Sequence, residues 1–403
     1  MPGQITDRGE DIRLIEPLLV SDGSPHRSGL ADLAITLGQK SASLRASLPP
    51  KIMEALATIV RSMNCYYSNL IEGHDTHPID IERALNEDFS SDPRQRDLQQ
   101  EATAHIFVQQ WIDQGGIDGM AASFEGIRLI HLRFCDLLPA EMLRVEHPST
   151  GKILEVKPGE LREHDVRVGN HVPPSPGALP RFMDRFEQGY SGLGKLDSIL
   201  AAAGAHHRLL YIHPFLDGNG RVARLMSYAM LREALDTGGV WSIARGLARN
   251  EAQYKTHLNN CDLQRRNDLD GRGNLSEEAL AEFQKFFLNT CIDQVEFMEE
   301  LMQPNKLRAR AKVWCEEEMS SGELPPKSDR VITTLLDRGE LGRGEVPELL
   351  GVSDRSAQRI TRALLDKGII TSNSTRAPLE MAFPAGLAAR WLPGLFPERR
   401  ISQ

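Results

Sequence analysis

Along most of the chain apolar side chains recur at intervals of three and four, the spacing that lays one face of an α-helix against a core. The clearest stretch runs from Lys51 to Ile71, where Ile52, Leu56, Ile59, Val60, Met63, Tyr67, Leu70 and Ile71 form one stripe ending near Gly73. The same rhythm predicts helices over 97–114, 123–138, 179–188, 195–211, 221–235, 241–263 and 276–301. Between Pro148 and Pro176 it breaks. There Pro158-Gly159, Val166, Val168, Gly169 and Pro173-Pro174 predict a short β-hairpin or extended flap crossing a helical surface. Residues 1–50 mix glycine, serine and proline with apolar positions, and read as a loosely organised arm holding a short strand or helix.

A length of 403 residues exceeds the roughly 100–200 of one domain, so a large core with an appendage is expected. The divisions are an N-terminal arm (1–50), a helical core (51–303) that includes the helix 51–73, a connector helix (304–326) and a last domain (327–403). The fold class is mainly α with a short β-hairpin flap. From Lys327 onward 12 basic and 9 acidic residues leave +3 in a chain of net −9, which marks the tail as a separate unit. Its order is a helix near 331–337, a short one over 345–350, the turn Gly351-Val352-Ser353, a longer helix over 354–367, then strands from Gly368 and over 379–383. That order resembles a winged helix-turn-helix domain. No run approaches the roughly 18 apolar residues of a membrane span, and the first residues lack the pattern of a secretory signal, so a cytoplasmic protein is expected. Cys65, Cys135, Cys261, Cys291 and Cys315 are widely spaced and read as reduced, mostly buried thiols.

The chemistry concentrates in the run from His213 to Arg224, His-Pro-Phe-Leu-Asp-Gly-Asn-Gly-Arg-Val-Ala-Arg, which forms a tight loop between two apolar helices. Gly218 and Gly220 remove the Cβ atoms that would hold a phosphate away, at a helix N-terminus whose N–H groups favour an anion. Arg221 and Arg224 are three apart on one helix face and can both reach phosphate oxygens. Asp217 offers a hard oxygen for Mg²⁺ carried in with a triphosphate. Asn219 can bond phosphate or fix the loop, and Phe215 points into the core. His213, at the loop's mouth, suits the acceptance of a proton from an attacking hydroxyl.

The run matches the motif His-x-Phe-x-Asp/Glu-Gly-Asn-Gly-Arg-x-x-Arg without departure, and the chain resembles the Fic family over roughly residues 51–301. The resemblance implies an all-helical core, ATP with Mg²⁺, and AMP transfer to a Tyr, Thr or Ser hydroxyl of a protein, with His213 as general base. It implies an ATP site formed by Phe215, Leu216, Asp217, Gly218, Asn219, Gly220, Arg221 and Arg224 with Leu210 and the aromatic Tyr254, although the pair of tyrosines often seen there is reduced to one. It also implies a flap around Arg162, Val168 and Gly169 that aligns the target as an added strand. A homodimer is in keeping with the family.

Ser68 and Glu72 are four apart and share a helix face. Ser68-Asn69-Leu70-Ile71-Glu72-Gly73 resembles the inhibitory motif Ser/Thr-x-x-x-Glu-Gly/Asn of the Fic class that carries its inhibitory helix N-terminal to the core. In that class the glutamate pairs with the second motif arginine, here Arg224, and spoils the seat of the γ-phosphate. The helix from Asp354 sets Arg355, Arg359 and Arg362 opposite an apolar side, with Arg376 in the wing, as a DNA-reading helix requires; winged helices also dock proteins. A nucleotide-responsive DNA-binding regulator is therefore the competing function. Within enzymes the alternatives are removal of AMP or transfer of another phosphate-linked group.

Overall fold

The computed structural model describes residues 5–147 and 151–397. Pro148, where the sequence reading begins the flap, and the ends of the expected arm and tail at 1–4 and 398–403 lie outside them. The chain is mainly helical: α1 (Arg27–Ala46), α2 (Pro50–Ile71), α3 (Pro78–Leu85), α4 (Pro93–Asp113), α5 (Phe124–Asp136), α6 (Leu179–Tyr190), α7 (Lys195–Ile212) and α8 (Asn219–Leu235) come first. Then follow α9 (Ala244–Arg249), α10 (Glu251–Cys261), α11 (Glu277–Leu301) and α12 (Pro304–Ser320). The tail holds α13 (Ser328–Arg338), α14 (Val346–Leu350), α15 (Asp354–Asp366) and α16 (Ala385–Trp391).

The centre is the antiparallel pair α7 and α8, joined by the loop 213–218 and covered by α6, α5, α4, α1 and α11. Small residues make the close approach feasible: Ala201, Ala202, Ala203, Gly204 and Ala205 of α7 are all buried. α2 lies against α4, α8 and α9 and carries its apolar stripe inward, from Ile52 to Tyr67. All five cysteines are buried and unpaired.

Three sequence expectations change. The arm is not loose: α1 packs on α7 and α11, with Leu30, Ala34, Leu37, Ser41 and Leu44 buried at intervals of three and four. The helix expected over 241–263 is two, α9 and α10, because the Asn250 side chain turns back to donate to the Gly246 carbonyl at 3.0 Å and ends the first. The hairpin sits earlier than expected, with β1 (Arg144–Glu146) antiparallel to β2 (Ile153–Glu155). Beyond it the chain is irregular up to a single tight bridge between Val168 and His171.

In the tail, β3 (Glu340–Leu341), β4 (Ile370–Thr371) and β5 (Leu379–Met381) form a sheet of order β3-β5-β4 beside α13, α14 and α15. It packs on the core through α2 and α3: Lys51 pairs with Glu380 at 3.4 Å, and the Ala385 amide donates to Glu82 Oε1 at 3.2 Å. Phe396 meets Tyr66 of α2 edge-on, 6.1 Å between ring centres.

Candidate active site

α7 ends at Ile212 because His213 turns into the left-handed region, φ +51°, while its amide still donates to the Leu209 carbonyl. A side chain with a Cβ in that conformation is strained by roughly 1–2 kcal/mol, so the surroundings must hold it there. Arg162 does so. Its buried guanidinium donates to the carbonyls of His213 (2.8 Å), His164 (2.9 Å) and Pro174 (2.6 Å), and its amide to that of Pro214 (2.9 Å). Burial pushes the guanidinium down to about 10, yet it stays charged at neutral pH. Arg162 is therefore a clamp on the histidine loop, with all three guanidinium nitrogens donating to backbone carbonyls and the side chain 4% exposed. Val168 and Gly169, the other two expected flap residues, are exposed at the Val168–His171 turn.

The loop is pinned from below. Asn219 closes a ring with Phe215, its Oδ1 accepting from the Phe215 amide at 3.0 Å and its Nδ2 donating to the Phe215 carbonyl at 2.9 Å. Of the two roles open to Asn219, the geometry shows loop fixing. Phe215 is fully buried and stacks on His131, ring centres 3.9 Å apart. His131 in turn accepts from the Gly159 amide at 2.8 Å. The Phe215 ring thus anchors the loop in the core, as expected of its apolar side chain. Tyr254 is likewise buried, 2% exposed with its hydroxyl 2.6 Å from His206 Nε2. Leu210 and Leu216 flank the loop half-buried.

His213 itself is half-buried, and its Nδ1 has no hydrogen-bond partner. Burial first, then the charge of Arg162, lower the imidazole to about 4, so it is neutral and able to accept a proton at physiological pH. α8 begins at Asn219, with Gly218 left-handed (φ +80°) as its cap. Against this helix start sits a carboxylate from another part of the chain. A Cβ placed on Gly220 would lie 2.3 Å from Glu72 Oε1, so the missing side chain is the space that this oxygen uses.

Glu72 closes the C-terminal end of α2, and its Oε1 accepts from Arg224 Nη2 at 2.5 Å. Arg224 also donates through Nε to Ser68 Oγ at 2.8 Å and through Nη2 to the Ser68 carbonyl at 3.1 Å. The expected trio Ser68, Glu72 and Arg224 is in contact. Desolvation alone would raise the Glu72 carboxyl; Arg224, helped by Arg221 and His74, more than reverses this and keeps it ionised. Arg221 is engaged as well. Its Nη1 donates at 2.5 Å to Glu101 of α4, 2% exposed, and its Nη2 lies 3.6 Å from Asp217.

Glu101 was not picked out from the sequence. The available signal was a polar series at intervals of four, Glu101, His105 and Gln109, on a buried face of α4. Asp217 is more than half exposed at the mouth of the loop. No group of three or more His, Cys, Asp and Glu side chains gathers around one point among the described residues. A lone exposed carboxylate fits Mg²⁺ bound mainly through substrate phosphates and water rather than in a cage of protein ligands.

Arg355, Arg359 and Arg362 are exposed along α15, whose opposite side buries Ala357, Ile360 and Leu364. Arg362 lies 3.7 Å from Asp366 one turn on, and Arg376 is exposed before β5.

Residues 137–231, a segment that holds the whole 213–224 loop but neither Glu72 nor Glu101, match the Fic/DOC family. A protein named protein adenylyltransferase Fic from Drosophila yakuba is 36% identical over 118 residues, 29% of this chain and 24% of that one. Its namesake from Drosophila willistoni is 29% identical over 226 residues, 53% of this chain and 42% of that one. The chain thus spans less than half the length of these curated relatives. Among solved structures, a Fic family protein from Desulfovibrio desulfuricans G20 shares the fold over 90% of this chain and 98% of its own, with a TM-score of 0.50 and 16% identity. Fic-1 from C. elegans shares it over 69% of this chain and 74% of its own, with a TM-score of 0.50 and 15% identity. The loop lies within the segment that matches: residues 137–231 form a Fic/DOC domain, and the helical frame around it shares the fold of the solved Fic structures.

Proposed function

We propose that the protein transfers AMP from ATP to a Tyr, Thr or Ser hydroxyl of a protein, possible acceptors including hydroxyls of its own chain, and that Glu72 restrains the reaction. The observation that carries the reading is a neutral imidazole, His213, beside a glycine-lined helix start at which the chain already seats an anion. His213 takes the proton of the attacking hydroxyl; that oxygen bonds to the α-phosphorus as the bond to the bridging oxygen breaks, and pyrophosphate leaves. The α8 amides and Arg221 would face the phosphates, and Asp217 would hold Mg²⁺, whose charge would offset that of the departing pyrophosphate. Arg162 sets the imidazole by donating to the Ile212 and His213 carbonyls on either side of its Cα. The names of the Drosophila relatives support the transfer at the level of the Fic domain.

Restraint follows from competition for one cation. Arg224 has its donors on Ser68 and Glu72, and a γ-phosphate that sought the same guanidinium would meet a carboxylate already in place. The test is incubation with α-labelled ATP and Mg²⁺, read by label and by the mass of added AMP. Glu72→Gly is expected to label more than wild type and His213→Ala not at all. Absence of AMP from every variant removes the transfer reading, and equal labelling by wild type and Glu72→Gly removes the restraint. Label from γ-labelled ATP instead would point to a kinase-like reaction.

A second reading rests on the exposed arginines of α15. A DNA-binding regulator would bind duplex DNA in a salt-sensitive way that Arg359→Ala/Arg362→Ala abolishes. Failure to bind at low salt removes it.

A further inference from the structure

Glu101 is a buried carboxylate that neither the loop motif nor the Glu72 contact accounts for. Its Oε1 accepts from Arg221 of the phosphate loop at 2.5 Å, and its Oε2 lies 2.8 Å from Nδ1 of His74. His74 stands two residues after Glu72, and its amide donates to the Asn69 carbonyl as the chain leaves α2. We propose that Glu101 is a positioning residue that ties Arg221 of the phosphate loop to the segment carrying Glu72, with His74 as the second end of the tie.

Arg221 needs such a partner. Its Nε has no hydrogen bond, its guanidinium lies over the Phe134 ring at 4.9 Å, and Glu101 is its close buried counter-charge. With Nη1 fixed from below, the remaining edge is held toward Asp217 and the mouth of the loop. The His74 contact is an ion pair turned away from ideal hydrogen-bond geometry, so its strength depends on the charge of the ring. The charged groups acting on that ring are Glu101 from α4, Arg221 from α8 and Glu72 from its own segment. The contact with Glu101 leads, and the ring's proton affinity rises above the ordinary histidine value. The tie is therefore complete below the ordinary histidine pKa and is lost as pH rises through the raised folded value. His213, lowered to about 4, does not titrate in that window.

The inference rests on the reading that Glu72 restrains the site, and the test separates the two. The full chain is assayed with α-labelled ATP at pH 6 and pH 8 as wild type, His74→Asn, Glu72→Gly and the double variant, and amide exchange is followed across residues 69–76. His74→Asn is expected to raise labelling at pH 6 by about two- to fivefold, the weight of a half-exposed ion pair. It also flattens the rise between pH 6 and pH 8, adds nothing in the Glu72→Gly background, and speeds exchange in 69–76. In that background Glu101→Gln raises KM for ATP by roughly tenfold with kcat less affected, and Glu101→Asp recovers part of it. Wild-type exchange over 69–76 in His74→Asn, or an unchanged KM in Glu101→Gln, overturns the tie whatever Glu72 does. An inert Glu72→Gly with faster exchange in His74→Asn overturns the restraint and supports the tie.

Discussion

Replacing Glu72 by glutamine keeps the shape of the side chain and removes its charge, so two effects of opposite sign separate cleanly. In the native chain a carboxylate 34% exposed meets a guanidinium 4% exposed at 2.5 Å. A hydrogen bond to a charged group contributes about 1.5–3 kcal/mol, and solvent screening on the Glu72 side brings the figure to about 1–2 kcal/mol. That energy is lost to folding in Glu72→Gln, because Arg224 keeps Ser68 but no counter-charge at its tip. The same energy no longer opposes a phosphate. ATP binding should therefore tighten by about 5- to 30-fold. Calorimetric titration of ATP into His213→Ala and into Glu72→Gln/His213→Ala, where no turnover occurs, measures the gain, and urea unfolding without nucleotide measures the loss. Affinities within twofold of one another, with an unchanged urea midpoint, would show that the Glu72–Arg224 contact carries no weight in either process.

Gly220→Ala should destabilise the protein by about 1–3 kcal/mol, since its Cβ would lie 2.3 Å from Glu72 Oε1 and displace it from Arg224. In a Glu72→Gly background most of that loss should vanish, and additive urea midpoints would contradict the packing argument. Arg162→Ala strands the buried carbonyls of His213 and Pro174; a loss of about 2–4 kcal/mol and a fall in kcat beyond that in KM are expected, and unchanged kcat would deny the clamp. His105 and His206 are lowered to about 3, and His131, His207 and His213 to about 4, each mainly by burial. Between those values and the ordinary 6.5 the unfolded chain binds more protons, so stability is full at neutral pH and falls as pH drops below about 6.5, by up to about 1.4 kcal/mol per unit for each ring. A urea midpoint at pH 5.5 equal to that at pH 7.5 would refute this.

The helical frame was legible because its apolar residues repeat over long windows: α2, α4, α5, α6, α7, α8 and α11 lie close to where periodicity puts them. α1 was equally periodic, at Leu30, Ala34, Leu37 and Leu44, but Gly29, Gly38 and four serines from 28 to 47 diluted the pattern. The break at Asn250 was hidden for a different reason, since an asparagine that bonds back to a carbonyl leaves the spacing of apolar residues intact. The hairpin was misplaced because two strands of three residues carry too little alternation to be read against nearby proline and glycine.

Within the site, what could be read was the set of hydrogen-bond donors; what could not was who holds them. Loop residues 213 to 224 form a local unit, and their spacing alone is what suggests an anion site. Their partners come from far away, Glu101 at 120 residues from Arg221 and Glu72 at 152 from Arg224. No local pattern encodes such distances, and Glu72 was found only because its own segment resembles a known one. Phe215 points into the core as its apolar ring predicts, whereas the burial of Arg162 and Tyr254, and their bonds to the chain's own groups, had no local signal in the sequence. A phosphate loop of two glycines and two arginines is unstable as bare positive charge in a closed interior, so the fold must supply acceptors. The fold supplies two, Glu101 on Arg221 and Glu72 on Arg224. On the function proposed above, Glu101 holds its arginine in place for a triphosphate while Glu72 occupies the arginine that a γ-phosphate would seek, so one need for counter-charge would serve stability in both pairs and restraint in only one.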